Sequence, residues 1–126
     1  MTGQIHLTSG SIDIMDSVTI SGSTADTLTV DGGGLDRVLT VGGGVVVVNG
    51  LTLQNGRCDP GEQGGGINLF GGSLELRDCA VLNSFVPGVL GDERNGGGIR
   101  AESTTTLIAR RCLFAGNIAE SGLGGA

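Results

Sequence analysis

Leu39-Thr-Val-Gly-Gly-Gly-Val-Val-Val-Val-Asn-Gly-Leu-Thr-Leu-Gln-Asn55 aligns without a gap with Ile67-Asn-Leu-Phe-Gly-Gly-Ser-Leu-Glu-Leu-Arg-Asp-Cys-Ala-Val-Leu-Asn83, at an offset of 28 residues. Each copy holds three short apolar-x-apolar stretches. A glycine break follows the first, a polar break the second, and an asparagine closes the copy. Self-similarity at such a period marks a repeat architecture. Strict alternation over three to five residues marks a strand with one face inward. Strands this short are unstable alone. Stacking each copy on the next pairs every strand with its equivalent at ~4.8 Å and encloses a shared core.

The pattern extends outward in both directions. After Asn83 it resumes with Ile99-Arg-Ala101, Leu107-Ile-Ala109, Cys112-Leu-Phe114 and Asn117, with one extra residue before the asparagine. Before Leu39 the reading is Ile5-His-Leu7, Ile12-Asp-Ile14 and Val18-Thr-Ile20. Val18, Leu51, Cys79 and Cys112 then start the third strands, and Leu28-Thr-Val30 is an additional strand in a longer connection. The expected fold is all-β: a right-handed single-stranded parallel β-helix with three strands per coil and about four coils over residues 1–126. An α-helical solenoid does not fit, because Gly, Thr and Val dominate and no 3.6-residue stripe exists.

Composition agrees. Of 126 residues, 26 are glycine without a strict collagen period, and only two are proline, which argues against a disordered linker. The only aromatics are Phe70, Phe85 and Phe114, so the core is built from small aliphatic residues as in a narrow solenoid. Net charge is −6 and no basic run exists, which argues against nucleic-acid binding. No apolar stretch approaches ~20 residues, so no membrane span is expected in this segment. The loops Arg57–Gln63 and Pro87–Asn95 hold both prolines and several charges, and they fall on one edge, as insertions in solenoids do.

Gly64-Gly65-Gly66-Ile67 and Gly96-Gly97-Gly98-Ile99 resemble the Gly-Gly-Ala-Ile openings of polymorphic outer-membrane protein repeats, with Gly in place of Ala. Phe114-Ala115-Gly116-Asn117 matches the Phe-x-x-Asn motif of that family. Gly124-Gly125-Ala126 resembles a further opening cut short, so the chain is expected to be a fragment of a larger protein. The resemblance implies a bacterial secreted or cell-surface, outer-membrane-associated protein, often an adhesin or an autotransporter passenger.

The candidate structural residues are Asn55, Asn83, Asn117, Cys79, Cys112 and Phe114. The asparagines form either a stacked amide ladder or a series of independent turns that tolerate left-handed backbone. Cys79 and Cys112 occupy equivalent inward positions about 5 Å apart, which allows a disulfide. A stack of reduced thiols suits the parallel Cβ vectors better. Cys58 lies in a loop outside any disulfide.

Asp26, Asp31 and Asp36 flank Gly32–Gly34 and loosely resemble the turns of calcium-binding β-rolls. The nonapeptide rhythm of those turns is absent, so the three are expected to be solvated loop acids, with no metal or cofactor. His6, the single histidine, points outward as a surface residue. No pair of carboxylates falls on adjacent coils of one outer face, so no catalytic residues are expected in this segment. The expected role is a structural or adhesive scaffold. Its inter-coil loops would meet a host protein or glycan, and its end coils would meet neighbouring coils of the full-length chain. The alternative is part of a carbohydrate-active β-helix whose catalytic coils lie elsewhere.

Overall fold

The computed structural model describes residues 3–7, 10–22, 28–59, 64–87 and 96–119. Among them the secondary structure is all strand, with no helix. Strand β1 (Gly3–His6) precedes a first repeat of β2 (Ile12–Ile14), β3 (Val18–Ser21) and β4 (Leu28–Asp31). The second repeat is β5 (Leu39–Val41), β6 (Val45–Asn49) and β7 (Thr52–Gln54). The third is β8 (Ile67–Leu69), β9 (Ser73–Arg77) and β10 (Ala80–Leu82), followed by the short β11 (Phe85–Val86). The fourth is β12 (Ile99–Ala101), β13 (Thr106–Arg110), β14 (Leu113–Ala115) and the short β15 (Ile118–Ala119).

Every pairing among these strands is parallel, and each joins equivalent positions of successive repeats. The first sheet is ordered β2-β5-β8-β12 and the second β3-β6-β9-β13. The third is ordered β1-β4-β7-β10-β14. All three face one apolar core. The first sheet contributes Val41 and Leu69, the second Val46 and Leu74, and the third Leu53 and Val81. Branched aliphatic side chains at alternate positions fill this space, while the intervening positions face outward.

The structure revises the expected first repeat. Ile12–Ile14 pairs with Leu39–Val41, and Val18–Ile20 with Val46–Val48, so these are first-sheet and second-sheet strands. Leu28–Val30, expected to be an extra strand in a connection, is the third-sheet strand, with Val30 opposite Leu53. Ile5 pairs with Val30, which makes β1 a third-sheet strand of a preceding turn of the chain. The cause is uneven connection length. A long connection before Leu28 hides the repeat when the copies are aligned from the N-terminus.

A second revision concerns strand number. Between the third sheet and the next glycine opening lies a narrow fourth strip, where Arg57 bridges Phe85 and Phe85 pairs with Ile118. Cys58 and Val86 turn inward there and are buried. The glycine openings make this possible. Gly64 and Gly96 have left-handed φ of 74° and 66°. A Cβ on Gly65 would come within 2.5 Å of the Phe85 carbonyl oxygen, so the residue after the left-handed position must also lack a side chain.

Of the residues at alternating apolar positions, those of the two middle repeats are buried, as are Ile14 and Ile99 on the outermost first-sheet strands, while other outermost ones stay open. Ile5 is 48% exposed and Leu107 37%. Ala101 and Ala109 are exposed as well. Their strands have a described neighbour on one side only.

Candidate functional site

The asparagine corners come first. Asn55 and Asn83 follow β7 and β10 with φ of 56° and 52°, the left-handed region that asparagine tolerates. In the fourth repeat that place belongs to Gly116, with φ 67°. Asn117 falls one residue later, as its extra spacing requires. The amides reach back one repeat toward other groups. Asn55 Nδ2 donates to Asp31 Oδ2 at 3.0 Å. Asn117 Nδ2 donates to the Val81 carbonyl at 2.9 Å, and its Oδ1 accepts from the Ser84 amide at 3.0 Å.

Cys79 and Cys112 lie in successive repeats of the third column, and no disulfide involves either. Both thiols donate to backbone carbonyls, Cys79 to Arg77 and Val48 and Cys112 to Arg110 and Leu76. Burial pushes the Cys79 thiol up, with hydrogen bonds partly opposing it. Phe114 occupies the inward position opposite Val81 and packs on the core.

A polar groove runs along the asparagine corner. It is an open groove of about 430 Å³ lined by His6, Asp31, Gly33, Gly34, Asn55, Gly56, Arg57, Asn83 and Phe85. Asp31 is its hub. Expected as a solvated loop acid, it is only 6% exposed. Its Oδ2 accepts from Gln4 Nε2 at 2.9 Å, Gln54 Nε2 at 3.0 Å and Asn55 Nδ2. Its Oδ1 accepts from the Gly33 amide at 2.7 Å. Burial alone would raise its pKa, but the donors from Gln54, Gly33 and Asn55, together with the field of His6, outweigh burial and hold the carboxyl below the usual aspartate value. The physical reason for the revision is the register. As the last residue of β4, Asp31 lies opposite Gln54 on one side and His6 on the other.

Arg57 forms the other wall. Its guanidinium carbon sits 4.9 Å from the centroid of the Phe85 ring, a cation–π contact set by their adjacent places in the fourth strip. Sequence reasoning missed this groove. The available signal was the likeness of Leu28-Thr-Val-Asp31 to Leu51-Thr-Leu-Gln54, which places Asp31 in a column of outward positions beside His6.

Other charged groups pair across the second sheet. Glu75 Oε2 accepts from Arg77 and lies 3.4 Å from Arg110 Nε. Arg111 grips Asp78 with two hydrogen bonds, at 2.6 and 3.2 Å. The Arg77 and Arg111 hydrogen bonds are the main cause holding Glu75 and Asp78 below their ordinary pKa values. Among the described residues no column places two carboxylates in successive repeats. None of them forms a group of three or more His, Cys, Asp or Glu suited to a metal ion.

Residues 60–63 and 88–95 of the expected contact loops, and Asp26, lie outside the described residues. Among the described residues no helix is long and apolar enough to cross a membrane. No protein-family model, curated protein or solved structure matches this chain.

Proposed function

We propose that this chain is a segment of a right-handed parallel β-helix, acting as a structural and adhesive rod of a bacterial secreted or cell-surface protein. One observation carries the reading. Each strand pairs in parallel with its equivalent in the next repeat, and the three sheets formed in this way share one aliphatic core. A chain that visits three parallel sheets in the same order, repeat after repeat, closes most simply as a helix of strands. Crossovers between parallel strands of one sheet are right-handed in about 98% of cases. The outward charges Glu75, Asp78 and Asp31 are engaged by neighbouring arginines and amides, as on a surface that holds itself together. The resemblance of the glycine openings and of Phe114-Ala115-Gly116-Asn117 to polymorphic outer-membrane repeats supports surface display. Variable connections at one edge supply the contact surface.

The test is a paired assay on the purified chain. Binding to glycan arrays and to cultured host cells is measured beside oligosaccharide release from a polysaccharide panel, read by mass spectrometry. Saturable surface binding without release is the expected result. Release of oligosaccharides, abolished by boiling the protein, overturns the scaffold reading. Left-handed connections in a crystal structure overturn the right-handed helix.

A further inference from the structure

The groove at the asparagine corner holds an arginine in a setting unlike those of its counterparts. Arg77 and Arg110 lie against Glu75, Arg100 against Glu102, and Arg111 against Asp78, while Arg37 donates to the Gly64 carbonyl. Arg57 instead lies over the ring of Phe85, with no carboxylate partner among the described residues. A guanidinium held against a ring by a cation–π contact keeps N–H donors that can meet a second partner. Its donor fork is planar, spaced for two oxygens, and matches a carboxylate edge to edge.

The rest of the lining decides what kind of carboxylate fits. Phe85 is the one phenyl ring among the lining residues, and it is in contact with Arg57. The other side chains are the imidazole of His6 and the amides of Asn55 and Asn83, groups that exchange hydrogen bonds with hydroxyls. A Cβ placed on Gly34 would meet nothing within 4 Å, so a ligand can approach the backbone there. Asp31 also lines the groove, and its charge opposes an anion. Its two oxygens already accept four hydrogen bonds, from Gln4, Gln54, Asn55 and the Gly33 amide, and this spreads and occupies the charge. The space of about 430 Å³ suits one or two sugar-sized units.

We infer that this groove binds a small polyhydroxylated carboxylate, a sugar acid, with Arg57 gripping the carboxylate and Asn83 and His6 meeting the hydroxyls. The inference stands apart from where the protein works, because it rests on the groove alone.

The experiment is an NMR titration of the ¹⁵N-labelled chain with glucuronate, beside glucose and acetate as single-feature controls. Glucuronate should shift the Arg57 Nε–H, the Gly33 and Gly34 amides and the Asn83 side-chain amide with one saturating curve. Glucose, lacking the carboxylate, and acetate, lacking the hydroxyls, should each bind about tenfold more weakly or worse. Arg57→Gln, at an exposed position, should keep the native thermal transition and lose the glucuronate response. Arg57→Lys, which keeps the charge and loses the fork, should weaken it. The inference is overturned if glucose or acetate matches glucuronate, if Arg57→Gln binds normally, or if no groove resonance moves.

Discussion

At the scale of single residues, two side chains show how differently this fold uses its inward and outward positions. Val81 is fully buried, on the third sheet between Leu53 and Phe114. An aspartate there has no donor within the aliphatic core, and an unpaired buried charge costs several kcal/mol. Total stabilities are only about 5–15 kcal/mol. Val81→Asp should therefore abolish the cooperative thermal transition seen by circular dichroism, and a normal transition would mean that the inward register is wrong. Asp31 is the opposite case, a carboxylate that the fold wants charged. Its folded pKa lies below the ordinary 3.8, so the unfolded chain binds the proton more readily. Its contribution is fully present above 3.8 and disappears as pH falls through the lower folded value. In urea titrations Asp31→Asn should lower stability at neutral pH, and the gap to the native chain should close in acid. A gap that stays constant down to pH 2 would remove Asp31 from this role.

At the scale of elements, the strands were readable from sequence and their membership partly was not. The second and third repeats align by eye, because β5 to β7 and β8 to β10 are joined by connections of matched length. The first repeat does not align with the others from the N-terminus, because the stretch before Leu28 is long and the one before Leu51 is short. Counting from the N-terminus therefore placed Val18, a second-sheet residue, with the third strands. The fourth strip was illegible because strands of two residues, such as β11 and β15, show no alternation. Most of the groove went unread for the same reasons. Its members come from β1, β4, three corners and the fourth strip, and only correct column assignment brings them together. The corners also explain which residue types are interchangeable. Asn55, Asn83 and Gly116 share one left-handed position in successive repeats, so glycine is a native solution there. Asn83→Gly should leave the denaturation midpoint nearly unchanged. Asn83→Val should cost about 1–2 kcal/mol, from its Cβ clash in the left-handed region. Equal midpoints for the two variants would show that the corner relaxes out of that conformation.

At the scale of the whole molecule, the described strands form a stack with two edges. β2 and β12 bound the first sheet, and β3 and β13 the second. On these edge strands lie the exposed apolar side chains Ile12, Val18, Leu107 and Ile108. Unpaired parallel edges next to apolar surface favour further pairing. Sedimentation of the 126-residue chain should show reversible self-association that rises with concentration, and a strictly monomeric species at millimolar protein would count against it. A net charge of −6 limits that association at low salt and allows more of it as salt screens the repulsion.

The thiols of the third column give this stack an internal clock. Cys79 sits in the third repeat, buried and with its pKa raised, while Cys112 sits one repeat farther out and is partly exposed. A maleimide can reach Cys79 only when the repeat around it opens, so its labelling rate counts openings of the interior. The rate at Cys112 counts fraying of the outer repeat. With Cys58 replaced by serine, mass spectrometry of time points should show Cys112 modified first and Cys79 following at a rate set by local unfolding. The ratio of the two rates then measures how far loosening travels from one repeat to the next before the stack gives way as a unit.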